Sequence, residues 1–339
     1  MLAIDTGLLA GQIDEIAETA RRAERLGFSG LMTAEAQHEP YLPLMIAAEH
    51  TRRMNLLTGI AVAFPRSPMI TAYTAWDLQR YSQGRFLLGL GTQVKGHNER
   101  RFSTAWDRPV ARLRELIFAL RAIWKCWQDG SKLDFQGSFY RFDLMTPFFS
   151  PGPQEHAHVP IYIAGVNRQI CRLAGELCDG FHVHPLHTLK YIRESVRPWI
   201  AEGAMKAGRR ASDVKLVSAC FVVTGDDDAE IAASAAFMKQ QIAFYASTRT
   251  YAPVLAQHGW EDLSPRLNEL SRQGRWGDMG GLITDEMLSE FAVVAARDKV
   301  GGFLKRKYEG VLDRISLYLP YTPGRDDDWW ADVVAKVLA

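Results

Sequence analysis

Four groups of residues have the types and spacing to do chemistry. Glu35 and His38 stand three residues apart in Thr33-Ala34-Glu35-Ala36-Gln37-His38-Glu39-Pro40, just after an apolar run. A carboxylate and an imidazole together can give and take a proton near neutral pH, so both are candidate acid–base groups. The same two residues also suit a helix cap and an ordinary loop histidine, and Arg66 further on suits a surface cation as well as a site cation. A second group, Gly91, Thr92, Gln93, Val94, Lys95, Gly96, His97 and Asn98, follows the apolar run Phe86–Leu90. Gly91 adds no side-chain bulk, so backbone N–H groups there can approach a ligand. A plain strand-to-helix turn would read alike. Third, Ala164-Gly165-Val166-Asn167 leads into a helical run, where free N–H groups and the helix dipole favour an anion such as phosphate. A simple connection explains that stretch equally well. The fourth group is His182, His184 and His187. In a strand 182 and 184 share a face. No carboxylate recurs at ligand spacing beside them, so the expectation is contact with an organic ligand and no metal.

These groups need elements to place them, and the chain supplies a repeat of strand, loop and amphipathic helix. Strands are expected at Leu2–Leu8, Ser29–Thr33, Asn55–Ala63, Arg85–Leu90, Pro160–Ala164, Gly180–His184, Lys215–Val223 and Asp313–Leu319. Helices are expected at Ile13–Leu26, Leu42–His50, Met69–Tyr81, Val110–Trp127, Arg168–Leu177, Leu189–Ala207, Asp226–Ser247, Met287–Ala296, Asp298–Tyr308 and Trp329–Leu338. Gly27 reads as a C-cap residue and Ser67 as an N-cap. Asp226–Asp228 reads as a solvated helix start, since acids complement the dipole there. Eight strands with intervening helices point to an α/β fold of the (β/α)8 barrel (TIM barrel) type, with an open doubly wound sheet as the alternative. No stretch reads as an interdomain linker. The expectation is one domain over 1–339, with insertions at 129–158 and 250–286. In a barrel the four groups fall after strands two, four, five and six, on the C-terminal rim where active sites lie.

Composition narrows the classes. A net charge of +1 over 339 residues argues for neither nucleic acid nor a membrane surface as partner. Four scattered cysteines, none in a Cys-x-x-Cys pair, argue for reduced thiols and a cytoplasmic setting. No signal peptide and no spanning apolar run is legible. Gly89-Leu90-Gly91 lacks the third glycine of a dinucleotide fingerprint.

Four segments then resemble the luciferase-like superfamily of flavin- and coenzyme F420-dependent oxidoreductases, in the right order. They are Ala23–Phe28, Gly59–Val62, Gly84–Thr92, and Pro160–Ala164 running on to Ala174-Gly175 and Asp179-Gly180. Val62–Pro68 and Phe181–His187 are similar to a mycobacterial-type F420-dependent subgroup. The resemblance implies a (β/α)8 barrel with insertions, like bacterial luciferase. It also implies a cofactor ring across the C-terminal rim and a non-proline cis peptide backing the ring at Ala61–Val62. By the same resemblance Glu35 lies near the polar edge of the ring, Gly91, Thr92 and Asn98 line one side, and Ala164, Gly165, Val166 and Asn167 bind phosphate. His184 joins the cofactor set, and a homo-oligomer is implied. The sequence departs from the family in three places. Ala36 stands where some F420-dependent members have histidine, so His38 comes two residues late. Neither Gln93 nor Val94 is acidic, which removes sugar-phosphate oxidation. Val166-Asn167 replaces a Gly-Gly pair.

The reading that results is a hydride-transferring oxidoreductase using F420 on a small organic substrate. His38 or Glu35 is its proton donor or acceptor, with His184 as the weaker candidate. An FMN-dependent monooxygenase and a non-catalytic flavin or F420 carrier or sensor are the alternatives. Aromatic residues of the insertions, Phe139, Tyr140, Phe148, Phe149 and Trp276, are expected either to wall an apolar substrate or to pack the insertions themselves.

Overall fold

The computed structural model describes residues 1–8 and 13–339. The chain opens with β1 (Ala3–Leu8), α1 (Ile16–Arg25), β2 (Gly30–Thr33), α2 (Tyr41–His50), β3 (Asn55–Thr58), β4 (Ala61–Val62) and α3 (Pro68–Tyr81). It continues through β5 (Phe86–Gly91), α4 (Lys95–Arg100), α5 (Pro109–Asp129), the two-stranded β6 (Phe135–Gln136) and β7 (Arg141–Phe142), β8 (Ile161–Gly165) and α6 (Arg168–Leu177). Next come β9 (Gly180–Val183), α7 (Leu189–Tyr191), α8 (Arg197–Lys206), β10 (Lys215–Val223), α9 (Asp228–Ala246), α10 (Ala252–Ala256), α11 (Leu263–Arg272) and α12 (Trp276–Met279). The last elements are α13 (Asp285–Phe291), β11 (Ala292–Val294), α14 (Val300–Tyr308), β12 (Arg314–Leu317) and α15 (Asp327–Leu338).

Eight of the strands close on themselves in the order β1-β2-β3-β5-β8-β9-β10-β12 and back to β1, every pair parallel. Closure removes the free edges that an open doubly wound sheet would keep, and the fold is the (β/α)8 barrel read from the sequence. The helices form because their caps and stripes agree. The Ser67 hydroxyl accepts from the Met69 N–H at 3.2 Å with Pro68 in the first helical turn, and Asp227 caps α9 through the Glu230 N–H at 2.8 Å. Gly27 ends the first helical stretch at φ +89°, a conformation that favours glycine. The stripe Ile16, Thr19, Ala20 and Ala23 is buried against the barrel while Glu18 and Arg22 pair outside it.

The barrel interior is layered. At its N-terminal end Arg314 reaches Asp5 through two hydrogen bonds, 2.8 and 2.6 Å, and Asn55 through a third at 3.0 Å. Gly30 leaves room for that ion pair, because a Cβ there would stand 2.6 Å from the Asp5 carboxylate. Above it Leu57, Leu87, Tyr162 and Val217 form a small apolar cluster flanked by Met32. The C-terminal mouth opens above that cluster.

Four stretches differ from the sequence expectation. The run Asn55–Ala63 is two strands, β3 and β4, separated at Gly59 and Ile60, since apolar character carries no mark of a backbone break. Leu189–Ala207 is helical but holds a π turn at Ile192–Val196, just before Pro198 withholds its amide from the ladder. The stretch 250–286 is mostly short helices rather than irregular chain. The expected helix Met287–Ala296 stops at Phe291, and Ala292–Val294 pairs in parallel with the far end of β10. At nine residues β10 outgrows the barrel and leaves an edge that a β-branched pair, Val293-Val294, can cover.

Candidate active site

The loops at the C-terminal ends of β3, β5, β8, β9 and β10 surround a cavity of about 670 Å³. That is the size of a cofactor or substrate site. Its floor and walls are mainly apolar: Met32, Ile60, Val94, Val110, Ala164, Val217 and Trp106. A few polar groups converge on it, among them Thr92, Gln93, Asn167, His182, His184 and Ser218. Tyr251, from the second insertion, forms part of the lining.

One wall is built by backbone. The cis peptide lies at Gly59–Ile60, two residues before the expected Ala61–Val62. Gly59 and Ile60 line the cavity, whereas Ala61 and Val62 are buried behind them and pair with Leu90 and Gly91. Glu35 holds this segment in two ways. Its N–H donates to the Ile60 carbonyl at 3.0 Å, and its carboxylate accepts from the Val62 N–H at 2.7 Å. Arg66 then pairs with the same carboxylate at 2.7 Å, and the Glu35 side chain is only 7% exposed. Burial works against the Arg66 charge, but the hydrogen bond and charge of Glu35 outweigh it and raise its pKa above the ordinary arginine value. Arg66 is therefore no surface cation. Glu35 is not the helix cap either, because Glu39 accepts from the Tyr41 and Leu42 N–H groups at 2.7 and 2.9 Å. Glu35 and Arg66 support the wall and neither lines the cavity.

The strand-four loop forms the next side. Gly91, Thr92, Gln93 and Val94 line the cavity. Asn98 sits beneath them, fully buried, and its amide donates to the Thr92 and Val94 carbonyls at 2.9 and 3.1 Å. It staples the loop and does not itself reach the cavity. On the third side Ala164, Gly165, Val166 and Asn167 line the mouth at the start of α6. The Asn167 side chain caps that helix, accepting from the Ile170 N–H at 3.1 Å. Its carbonyl oxygen is thus committed to the helix, which leaves the backbone N–H groups and the side-chain NH₂ for an anion.

The three histidines separate. His182 points into the barrel, where its Nε2 is sealed without a partner and would stand 2.7 Å from a Cβ at Gly89. Burial, with Arg314 adding, pushes its pKa down to about 4. His187 turns away from the cavity, with Nδ1 at 2.9 Å from the His184 carbonyl and 3.2 Å from the Ser218 hydroxyl. Its pKa is pushed to about 4 by burial, against the opposing pull of the His184 hydrogen bond. His184 lines the cavity, and burial with some help from His187 pushes it down to about 3. All three are neutral imidazoles at neutral pH. Among the described residues no group of three metal-ligating side chains gathers. The four cysteines are buried, and desolvation raises Cys178 and Cys220 to about 12, so no thiolate is available to the site.

His38 is exposed and does not line the cavity, so the structure does not bring it to the place where a proton would be needed. The insertion aromatics are elsewhere too. Phe148 and Phe149 are exposed, Phe139 lies under Arg108, and the Tyr140 hydroxyl accepts from Arg112 at 3.0 Å. Trp106 and Tyr251 take the expected place of an aromatic wall. Trp106 stands edge-on to Phe64, with ring centroids 6.0 Å apart. A tryptophan between α4 and α5 was legible as a loop aromatic, but nothing local marked Tyr251 as a lining residue.

The sequence profile of the luciferase-like monooxygenases matches residues 2–314. The chain belongs to that family. The family comprises oxidoreductases and monooxygenases, and this chain is an enzyme of that kind. It is 49% identical over 309 residues to an uncharacterised protein of Mycobacterium tuberculosis, covering 91% of each chain. It is 29% identical over 289 residues to the 5,10-methylenetetrahydromethanopterin reductase of Methanolobus tindarius, covering 84% of this chain and 83% of the reductase. Its fold superposes on the coenzyme F420-dependent tetrahydromethanopterin reductase of Methanopyrus kandleri with a TM-score of 0.79 at 19% identity, covering 99% and 98% of the two chains. Structural neighbours in this family include F420-dependent enzymes and an FMN complex. Among the described residues no helix is long and apolar enough to cross a membrane.

Proposed function

We propose that this luciferase-like chain is an F420-dependent oxidoreductase acting on a small organic molecule. The observation that carries the reading is the cavity itself. A mainly apolar slot, walled by the Gly59–Ile60 backbone and the Gly91–Val94 loop, reaches the N-terminus of α6. A planar ring with an anionic tail has the matching chemistry: apolar faces for the slot and phosphate for the helix N–H groups. Gly59 keeps the slot wall close to β2, since a Cβ there would stand 2.1 Å from the Met32 sulfur. Gly59, Ile60, Gly91 and Thr92 would hold the ring, and Gly165, Val166 and Asn167 the phosphate.

Bound there, the deazaflavin supplies hydride transfer, and the protein supplies orientation and a dry site. Glu35 and Arg66 act as positioning residues that fix the wall through Val62. Asn98 does the same for the opposite loop. The cofactor test is a pair of fluorescence titrations, F420 and FMN in parallel. Saturable quenching with F420 and none with FMN is the expected result. Binding of FMN alone would overturn the reading in favour of a flavin monooxygenase. A reduced cofactor that binds tightly yet is turned over by no electrophile would overturn it in favour of a carrier.

A further inference from the structure

His184 sits at the end of β9 with one face of its ring covered and its edges contacted by Tyr245 and its own loop. Tyr251 stacks on it with centroids 4.3 Å apart and planes at 27°, and Tyr245 meets it edge-on at 4.8 Å and 82°. The Leu186 N–H donates to Nδ1 at 3.1 Å. Nδ1 therefore presents a lone pair, and in the neutral ring the proton sits on Nε2. Burial keeps the ring neutral at working pH. Among the described residues Nε2 has no hydrogen-bond partner. Unlike the Nε2 atoms of His182 and His187, it is not sealed from solvent. Since Nδ1 is held by its own loop and His184 lines the cavity, Nε2–H is a free, oriented donor there.

We propose that His184 is a substrate-positioning residue whose Nε2–H donates to the carbonyl oxygen of an uncharged, largely apolar ketone or aldehyde. This rests on the oxidoreductase reading for calling the occupant a substrate. A carbonyl oxygen suits the ring as it is held. A neutral imidazole is a hydrogen-bond donor that polarises a carbonyl, not a strong proton donor. An anionic substrate would want a buried cation, yet among the described residues the one cation on the lining, Lys95, is 67% exposed and lies 3.9 Å from Glu99. Trp106, Val94, Val110 and Tyr251 on the lining offer apolar contact to the substrate body.

The test uses acetophenone and its alkene isostere α-methylstyrene, which differ only in the acceptor oxygen. Both are titrated into the full-length protein, with and without bound cofactor, and followed by ring-nitrogen NMR of histidine. His184 should show the Nε2–H tautomer at neutral pH, and acetophenone should shift its Nε2 signal. In His184→Phe the ratio of ketone to alkene affinity should fall about three- to tenfold, the worth of one hydrogen bond. His184→Gln, which keeps an N–H at that reach and guards against a folding defect, should recover part of the ratio. An Nδ1–H tautomer or an imidazolium at neutral pH would overturn the proposal. So would an unchanged ratio in His184→Phe, or a wild-type protein in which neither compound perturbs the ring. Because the titration is also made without cofactor, its failure is distinct from a failure to bind F420.

Discussion

Acidification should unfold this protein through its buried imidazoles, and His187 isolates the effect. It is 1% exposed and lies outside the cavity, so its titration reports on the fold alone. Its folded pKa is about 4, against roughly 6.5 in an unfolded chain. The sign follows from the depression. The stability is fully present above the unfolded value, and it is lost as pH falls toward the folded one, because the unfolded state takes up the proton first. Between pH 7 and pH 5 the linkage amounts to about 2 kcal/mol for one such ring. His182 and His184, with pKa values of about 4 and 3, each add a similar amount. The three together reach roughly 5–6 kcal/mol, a large part of an ordinary domain's stability. The perturbation is His187→Gln, whose amide can still donate to the His184 carbonyl. Urea unfolding of both proteins at pH 7 and pH 5 is the assay. The variant's fall between the two pH values should be smaller than the wild type's by about 2 kcal/mol, whatever the substitution costs at pH 7. Equal falls in the two proteins would refute the argument, for they would mean that His187 binds a proton in the folded state as readily as in the unfolded.

Two further outcomes test the walls of the site. Arg66→Ala leaves the Glu35 carboxylate buried without its cation and should cost about 3 kcal/mol in urea unfolding. Adding Glu35→Gln should recover part of that loss, and a double variant no more stable than the single one would count against the pairing. Gly89→Ala would set a Cβ 1.8 Å from the Thr58 carbonyl oxygen, forcing β3 and β5 apart at a cost of about 3 kcal/mol or more. Gly96→Ala, with nothing within 4 Å, is the control. A Gly89→Ala protein that melts with the wild type would show that the strands do not approach so closely.

Much of the architecture was legible because local and global signals agree. Ser67 before Pro68 marks a helix start, and the structure uses it as one. Gly27 after an apolar stripe marks a helix end and takes a positive φ. Asp226–Asp228, which resembles a charge motif, is the solvated start of α9. Two of the failures share a cause: each turned on a neighbour distant in sequence. Val293 and Val294 continue a helical pattern locally, yet the unpaired edge of β10 draws them into a strand. Asn55–Ala63 reads as one largely apolar run, and the close approach of the Met32 side chain to Gly59, where the strand breaks, comes from a different strand, β2.

The candidate site divides in the same way. The strand ends were readable, so the Gly91–Val94 loop, Gly165–Asn167 and His184 were found, and the structure gathers them round one cavity. Residue type without position was misleading. Glu35 and Asn98 have the right chemistry, but one clasps Val62 and the other staples its own loop. His38 is left in solvent.

By itself the sequence determined the repeat, the rim and the family, because hydrophobic period, caps and glycine positions are local quantities. Only the tertiary structure decided which polar groups are spent on the fold and which remain free. A hydrogen bond made to a distant backbone atom leaves no trace in the order of residues. That is why Glu35, the best acid on paper, became a strut, while His184, held at Nδ1 by its own loop and boxed by Tyr245 and Tyr251, kept one N–H for a ligand.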